Sequence, residues 1–466
     1  MTNLEQTVDM RPGVPGRWRA FGFIGPAAMV SVGYMDPGNW ATDLEGGARF
    51  GYQLLWVLLA SNLIAVLLQT LAARLGIVGR MDLAQACRAC YARPVAVLLW
   101  LQCELAIIAC DLAELLGSAI ALNLLFGIPL AWGALITGLD VLVIIALQHY
   151  GIRKLEAVVA ALVLTIGACM GLEMLLVQPA WRDVAGGLVP RLDASSLIVA
   201  LGILGATVMP HNLYLHSSLV QTRRIDGGEG ARREAIHYNF LDTTLALNIA
   251  FFINAAILVL SASTFFTQRI EVTELPQAYE LLTPLLGTTL GATAFAIALL
   301  AAGQSSTITG TLAGQIVMEG FVRLRMSPMK RRFLTRALAI GPAVVVLLRT
   351  GEEGVLPLMV LSQVVLSLQL PFAIVPLIRF TSAPRIMGAF ASPLWLRCLA
   401  CIAALLIIGL NAWLVMQALG PSGEGLVRFA VGLAALLCGT LLAWISFVPL
   451  CFESVTGQSF GGIMER

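Results

Sequence analysis

The chain is poor in charge. Asp, Glu, Lys and Arg make up 12% of its 466 residues, against 58% hydrophobic, and the mean hydropathy is +0.86. An ordinary soluble domain carries roughly twice that charge, about 25%, so a soluble fold is excluded. The net charge of +2 does not speak for nucleic acid, and no nucleic-acid partner is expected. Histidine is scarce, with four in the chain. No HExxH run occurs, and His211 and His216 are five apart rather than four. That argues against a membrane-embedded metallohydrolase, and no enzyme activity is expected. Nine cysteines carry no disulfide pattern. Cys87-x-x-Cys90 and Cys398-x-x-Cys401 have zinc-like spacing, but neither has a histidine or second pair in its own segment, and an isolated pair is a weak signal. No prosthetic group is expected. The first apolar run is too long, and too polar at its centre, for a cleaved signal peptide.

What the chain has instead is long apolar runs. About 20 apolar residues span the hydrocarbon of a bilayer, and twelve candidates emerge: 21–48, 54–74, 95–122, 128–148, 155–177, 197–221, 238–262, 286–318, 333–349, 354–378, 395–418 and 427–450. The expectation is an all-α polytopic membrane protein with about twelve transmembrane helices. With the N-terminus in the cytoplasm, all but six of the 29 Lys+Arg residues fall on the cytoplasmic face; the six are Arg49, Arg182, Arg191, Arg269, Arg349 and Arg428. Cytoplasmic loops gather Lys and Arg, so both termini are placed inside. The tails are 1–20 and 451–466.

Two spans are interrupted. The first holds Met35-Asp36-Pro37-Gly38-Asn39 and the sixth holds Val208-Met209-Pro210-His211-Asn212. Each proline removes a backbone donor and displaces the carbonyl four residues back, at Gly33 and at Ala206. Gly38 leaves helical geometry cheaply. Pro37, Gly38 and Pro210 are therefore hinge candidates. Interrupted helices in matching positions of two halves point to the substrate site of a secondary transporter. The breaks lie five spans apart, an odd offset, so the second half is inverted relative to the first. The expectation is a five-plus-five inverted repeat, 21–177 and 197–378, with two appended helices at 395–450.

Ionisable groups at membrane depth are costly and usually functional. They are Asp36 at the first break, Glu104, Asp111 and Glu114 in the third span, His211 and His216 in the sixth, and Asp140 and Asp242 in the fourth and seventh. On a helix of 3.6 residues per turn, Glu104, Asp111 and Glu114 form one acidic stripe. Carboxylates this close in low dielectric resist ionising together, which suits groups that pass protons. The competing reading gives Asp111 and Glu114 buried hydrogen bonds or a structural ion pair.

The breaks also read as a coordination list: the carboxylate of Asp36, the amide oxygen of Asn39, the freed carbonyls of Gly33 and Ala206, and the thioether of Met209. Such a set suits a cation. A thioether selects against hard ions such as Mg²⁺ and Ca²⁺. Packing is the competing role for Met209, one of 15 methionines. His211 is either a further ligand or a proton relay, since its unperturbed pKa near 6.5 suits that task.

These residues resemble the NRAMP (natural resistance-associated macrophage protein) family of proton-coupled divalent metal transporters. The likeness lies in Asp36-Pro37-Gly38-Asn39 and in GATVMPHNLYLHS from Gly205 through Ser217. It continues through Cys110-Asp111-Leu112-Ala113-Glu114-Leu115, Leu334-Thr335-Arg336 and Leu361-Ser362-Gln363-Val364-Val365-Leu366-Ser367, and covers nearly the whole chain. The resemblance implies the fold of sodium-coupled amino-acid symporters and proton-coupled import of Mn²⁺, Fe²⁺ and related ions such as Co²⁺ and Cd²⁺ by alternating access. It implies metal ligation by Asp36, Asn39, the Ala206 carbonyl and Met209, with Gln363 joining during occlusion. The implied proton route is Asp36, His211, Glu114, Asp111 and Glu104, with Arg336 as partner. It also implies the plasma (inner) membrane of a bacterium. The alternative is a sodium-coupled amino-acid symporter of the same fold. It would expose helix N-termini to a substrate carboxylate, against which Asp36 and Met209 both argue. A channel fits less well, because titratable groups buried behind two hinges suit alternating access better than an open pore.

Overall fold

The protein is described by a computed structural model over residues 8–9, 22–137, 151–225, 228–269, 277, 281, 289–324, 326–419 and 425–450. The C-terminal tail, all of the N-terminal tail but residues 8–9, and the second half of the fourth expected span, with Asp140, lie outside the described residues. Every one of the twelve expected spans coincides with a helix over its described residues, the fourth only as far as Thr137 and the eighth only from Thr289.

The first span is two helices, α1 (Pro26–Ser31) and α2 (Pro37–Phe50), followed by α3 (Leu55–Arg74), α4 (Leu83–Cys90), α5 (Arg93–Phe126), α6 (Leu130–Thr137) and α7 (Ile152–Val177). The sixth span is likewise split, into α8 (Leu197–Thr207) and α9 (Pro210–Leu219). Then come α10 (Glu229–Ser261), α11 (Thr289–Val322), α12 (Pro328–Thr350), α13 (Val355–Ser382), α14 (Leu394–Ala418) and α15 (Gly425–Phe447). Among the described residues, eight helical stretches are long and apolar enough to cross a membrane, three of them formed by adjoining elements. Val8–Asp9 pairs in parallel with Arg223–Arg224.

The two breaks are built alike. After α1 the chain tightens into a 3₁₀ turn, Val32–Met35, then passes through Asp36 in extended conformation and restarts with Pro37 as the first helical residue. At the second break α8 ends at Thr207, Met209 is extended, and Pro210 begins α9. Proline suits a first helical position because its missing N–H would have had no partner there, and its φ is preset. Asp36 caps its helix, its Oδ1 accepting from the Asn39 N–H at 2.9 Å.

Sequence and structure differ at the edges. Helix α10 begins at Glu229 rather than 238, because its first turns carry Glu229, Arg232, Arg233 and Glu234. A helix continues through such residues in water, supported by i,i+4 pairs such as Glu229–Arg233 at 3.6 Å, where hydropathy no longer marks it. Turns of π-helix at Leu75–Gly79 and Ala262–Phe266 extend α3 and α10. Before α8, Asp193 accepts from the Ser195 hydroxyl and from the Ser195 and Ser196 N–H groups. These hydrogen bonds, the Ser195 hydroxyl first, hold its carboxyl down at about 2.

The centre is made by α5, α11 and α13, with the broken helices between them; α5 packs along α11 and α13, and α8 lies along α13. Close approach needs glycine at two positions. A Cβ on Gly38 would run into the Gln363 side chain, and one on Gly205 into the Gln363 carbonyl oxygen. Gln363 of α13 is thus wedged between the two broken helices, side chain against one and backbone against the other.

Candidate metal centre

The breaks face one another. A Cβ placed on Gly33 at the first break would lie 3.2 Å from Met209 Sδ at the second, and would also meet the Asn212 amide. Met209 packs in one small cluster with Ala106 and Cys110 of α5 and Leu366 of α13. The Cys110 thiol lies 3.5 Å from Asp36 Oδ2. Asp36, Asn39, Ala206, Met209 and Gln363 are all buried. The structure therefore gathers Asp36, Asn39, Met209 and Gln363 around the breaks, with Ala206 beside Gly205 at the end of α8.

Several polar atoms here are left over. Among the described residues, both amide atoms of Asn39, both of Asn212, Gln363 Oε1 and His211 Nδ1 are buried without a hydrogen-bond partner. Buried polar groups are nearly always paired, and an unpaired one costs roughly 1–3 kcal/mol. The amide oxygens and the imidazole nitrogen among them, beside one carboxylate and one thioether, are what a desolvated cation would satisfy. Among the described residues no three His, Cys, Asp or Glu side chains come together as a metal cluster, and Cys87, Cys90, Cys398 and Cys401 are free thiols. The centre has mixed oxygen and sulfur donors instead.

Behind it lies the acidic stripe. Cys110 Sγ is 3.7 Å from Glu114 Oε1 as well as 3.5 Å from Asp36, so the thiol stands between the site carboxylate and the stripe. Glu114 Oε2 accepts from the Thr307 hydroxyl at 3.1 Å and lies 3.4 Å from Arg332. Arg332 also pairs with Asp111, Arg336 reaches Asp111 Oδ1 at 3.2 Å, and Arg331 holds Glu104 at 2.7 Å. Neither Asp111 oxygen makes a well-aligned hydrogen bond among the described residues, so its contacts are ion pairs by distance. The family resemblance assigned the partner to Arg336, with Arg331 and Arg332 close by as alternatives. Arg336 and Arg332 both pair with Asp111, and Arg331, about one turn before Arg336 on α12, pairs with Glu104. Glu104 stands apart from the other carboxylates, held by Arg331 and the Trp100 indole N–H at 2.9 Å. Both readings of Asp111 and Glu114 survive, since they are ion-paired and also connected to the breaks.

The remaining candidates separate. His216 is absorbed in a chain from Tyr34 through Gln69 to His216 and Asn239, with contacts of 2.8, 3.0 and 3.5 Å; this ties α3, α9 and α10 to the first break. Asp242 accepts from the Gly25 and Ala27 N–H groups at the start of α1, at 3.3 and 3.1 Å. His211 has no hydrogen bond to the stripe among the described residues. Sequence reasoning misses Cys110, Thr307 and the buried Asp43 of α2. The spacing of Asp43 from Asp36, seven residues on one helix, is the signal that could have found it.

Two broken helices meeting at a sealed polar centre define a membrane transporter, not an enzyme. Within that class, the chain belongs to the natural resistance-associated macrophage protein-like (Nramp) family, whose model matches residues 27–417. It is 56% identical over 409 residues to a divalent metal cation transporter, MntH, of Xanthomonas campestris pv. campestris, covering 86% of this chain and 92% of that protein. The crystal structure of the Eremococcus coleocola manganese transporter, in complex with an aromatic bis-isothiourea compound, is 36% identical with a TM-score of 0.86, covering 96% of this chain and 98% of that one. A nucleobase-cation-symport-1 transporter, Mhp1, shares the fold at 15% identity and a TM-score of 0.58, over 96% of this chain and 95% of that one.

Proposed function

We propose that the protein imports divalent transition-metal ions, Mn²⁺ and Fe²⁺ with Co²⁺ and Cd²⁺ accepted, by alternating access coupled to protons. The observation that carries this reading is the meeting of Asp36 and Met209 across the two breaks, beside the unpaired amide atoms of Asn39 and Gln363. One carboxylate helps to offset the desolvation of a divalent ion. Oxygens from Asn39, Gln363 and the Ala206 carbonyl fill further positions, and the Met209 sulfur disfavours hard ions. The names of the relatives, a divalent metal cation transporter and a manganese transporter, agree.

In this reading Asp36 gives up its proton when metal arrives. The proton moves past Cys110 and His211 toward Glu114 and Asp111, where Arg332 and Arg336 set the balance of charge, and on to Glu104 and Arg331. Pro37, Gly38 and Pro210 are the points about which the half-helices tilt. Residues 21–177 and 197–378 act as two inverted repeats, 395–450 add the last two helices, and both termini lie in the cytoplasm of a bacterial cell. The direct test is Mn²⁺ uptake into proteoliposomes, with Fe²⁺, Co²⁺, Cd²⁺, Ca²⁺ and Mg²⁺ as competitors and an internal pH dye. Competed Mn²⁺ uptake with acidification supports it. Amino-acid uptake indifferent to metal points to the sodium-coupled alternative.

A further inference from the structure

Helix α2 carries a polar stripe that extends past the break. Asp36, Asn39 and Asp43 follow one another at spacings of three and four, so they share one face of the helix. All three are buried. Asp36 has partners in the Asn39 N–H and the Cys110 thiol. Among the described residues neither oxygen of Asp43 has a partner, nor does either amide atom of Asn39.

Nothing on its own helix compensates Asp43. The Thr42 hydroxyl is turned to the Asn39 carbonyl at 3.0 Å. The Trp40 indole N–H could donate to a carboxylate, but its ring stacks edge-on against Phe295 and the N–H has no partner among the described residues. Arg49, the one basic residue of the helix, is paired with Glu45 at 2.5 Å. A buried carboxylate without hydrogen bond or counter-charge is expensive, and persists where a ligand uses it. Seven residues at 1.5 Å per residue separate Asp43 from Asp36 by about 10 Å along the axis, with Asn39 between them.

We propose that Asn39 and Asp43 form a second divalent-cation station, on the outer approach to the centre at Asp36. The inference rests on the transport reading above, in which α2 runs outward from the break. An ion entering from outside meets the Asp43 carboxylate and the Asn39 amide oxygen first. It then shifts one to two turns inward, with Asn39 as a shared ligand, to Asp36 and Met209. Two divalent ions about 10 Å apart repel in low dielectric, so the stations fill in turn. The outer one is the weaker, having two side-chain ligands and no sulfur, and its role is to capture the ion.

The test is Mn²⁺ binding to the purified full chain by equilibrium dialysis, beside Mn²⁺ uptake into proteoliposomes. Asp36→Asn is expected to lose uptake but keep one weak Mn²⁺ site, which Asp36→Asn/Asp43→Asn loses. Asp43→Asn alone is expected to raise the KM for Mn²⁺ about tenfold, the equivalent of one ligand's share of binding, with a smaller change in maximal rate. Asp43→Glu, which keeps the carboxylate, should recover most of that loss. Asp43→Ser carries the same reading should the asparagine variant fail to fold. The outer station is overturned if Asp36→Asn binds no Mn²⁺, if its weak site survives the second substitution, or if Asp43→Asn matches wild type in both assays. In the last case Asp43 is a neutral buried acid. Normal uptake by Asp36→Asn is a different failure: it removes the central site itself, and the outer station with it.

Discussion

The Cys110 thiol lies 3.5 Å from the Asp36 carboxylate and 3.7 Å from that of Glu114, so it stands between the candidate metal centre and the acidic stripe. A thiol is a weak donor, yet it stands within reach of two carboxylates, Asp36 and Glu114, that come from different helices. Cys110→Ala is therefore expected to bind Mn²⁺ with near-normal affinity but to acidify proteoliposomes more slowly per metal carried, whereas Cys110→Ser, which restores a donor, recovers the rate. Equal proton flux in the wild type and Cys110→Ala would place the connection elsewhere.

The stripe itself can be tested by isosteric neutralisation. Glu114→Gln and Asp111→Asn keep shape and lose charge. Metal uptake should continue at a reduced rate while the accompanying acidification falls sharply, most in the double variant. Arg332→Ala should do worse than either, because it leaves Asp111 and Glu114 without their shared partner; removing one side of a buried pair costs about 3–5 kcal/mol. A thermal melt of the purified variants separates that loss of stability from the loss of coupling. Unchanged proton flux per metal in both neutralised variants would move the route to other groups.

In the proposed function Met209 carries selectivity. Its sulfur faces the Gly33 backbone across the breaks, and hard ions gain little from it. A preference of about 1–2 kcal/mol gives on the order of tenfold discrimination or more. Met209→Ala should lose Mn²⁺ uptake only moderately, lose Cd²⁺ uptake most, and let Ca²⁺ or Mg²⁺ compete. The measurement is uptake of Mn²⁺ and Cd²⁺ with excess alkaline-earth ion, wild type beside variant. A variant that still rejects both alkaline-earth ions would reduce Met209 to packing.

Gly205 makes a packing prediction. Its missing side chain lets α8 reach the Gln363 carbonyl and the Ser367 backbone. Gly205→Ala forces the two helices apart, at a cost typical of overpacking, about 1–3 kcal/mol, and displaces Gln363 from the centre. Uptake should fall with a lowered melting temperature. A variant of unchanged melting temperature and uptake would mean that the wedge tolerates a methyl group.

Both breaks are legible in the amino-acid sequence, because each proline comes with polar neighbours at membrane depth. Proline alone is a poor guide, since Pro342, Pro371 and Pro376 all sit inside continuous helices. The helix ends are less legible: hydropathy marks the membrane, not the helix, and α10 runs well beyond it. At the site, the residue types at Asp36, Asn39 and Met209 announce a cation. The arginine pairing does not follow from sequence. Arg331, Arg332 and Arg336 lie within two turns of one helix, and only the crossing of α12 with α5 assigns each to its carboxylate. Cys110 stands in a family motif, but its contact is invisible there, since the 3.5 Å approach to Asp36 joins residues 74 positions apart.

The most direct test of the central claim is Mn²⁺ uptake into proteoliposomes by Asp36→Ala, beside wild type reconstituted at the same density. Asp36 is the one carboxylate at the two breaks, and without it a divalent ion would face only amides, carbonyls and sulfur in a buried site, a loss of several kcal/mol. The account predicts a monodisperse, folded variant with uptake close to that of empty liposomes. Mn²⁺ uptake near the wild-type rate, at wild-type KM, would contradict it.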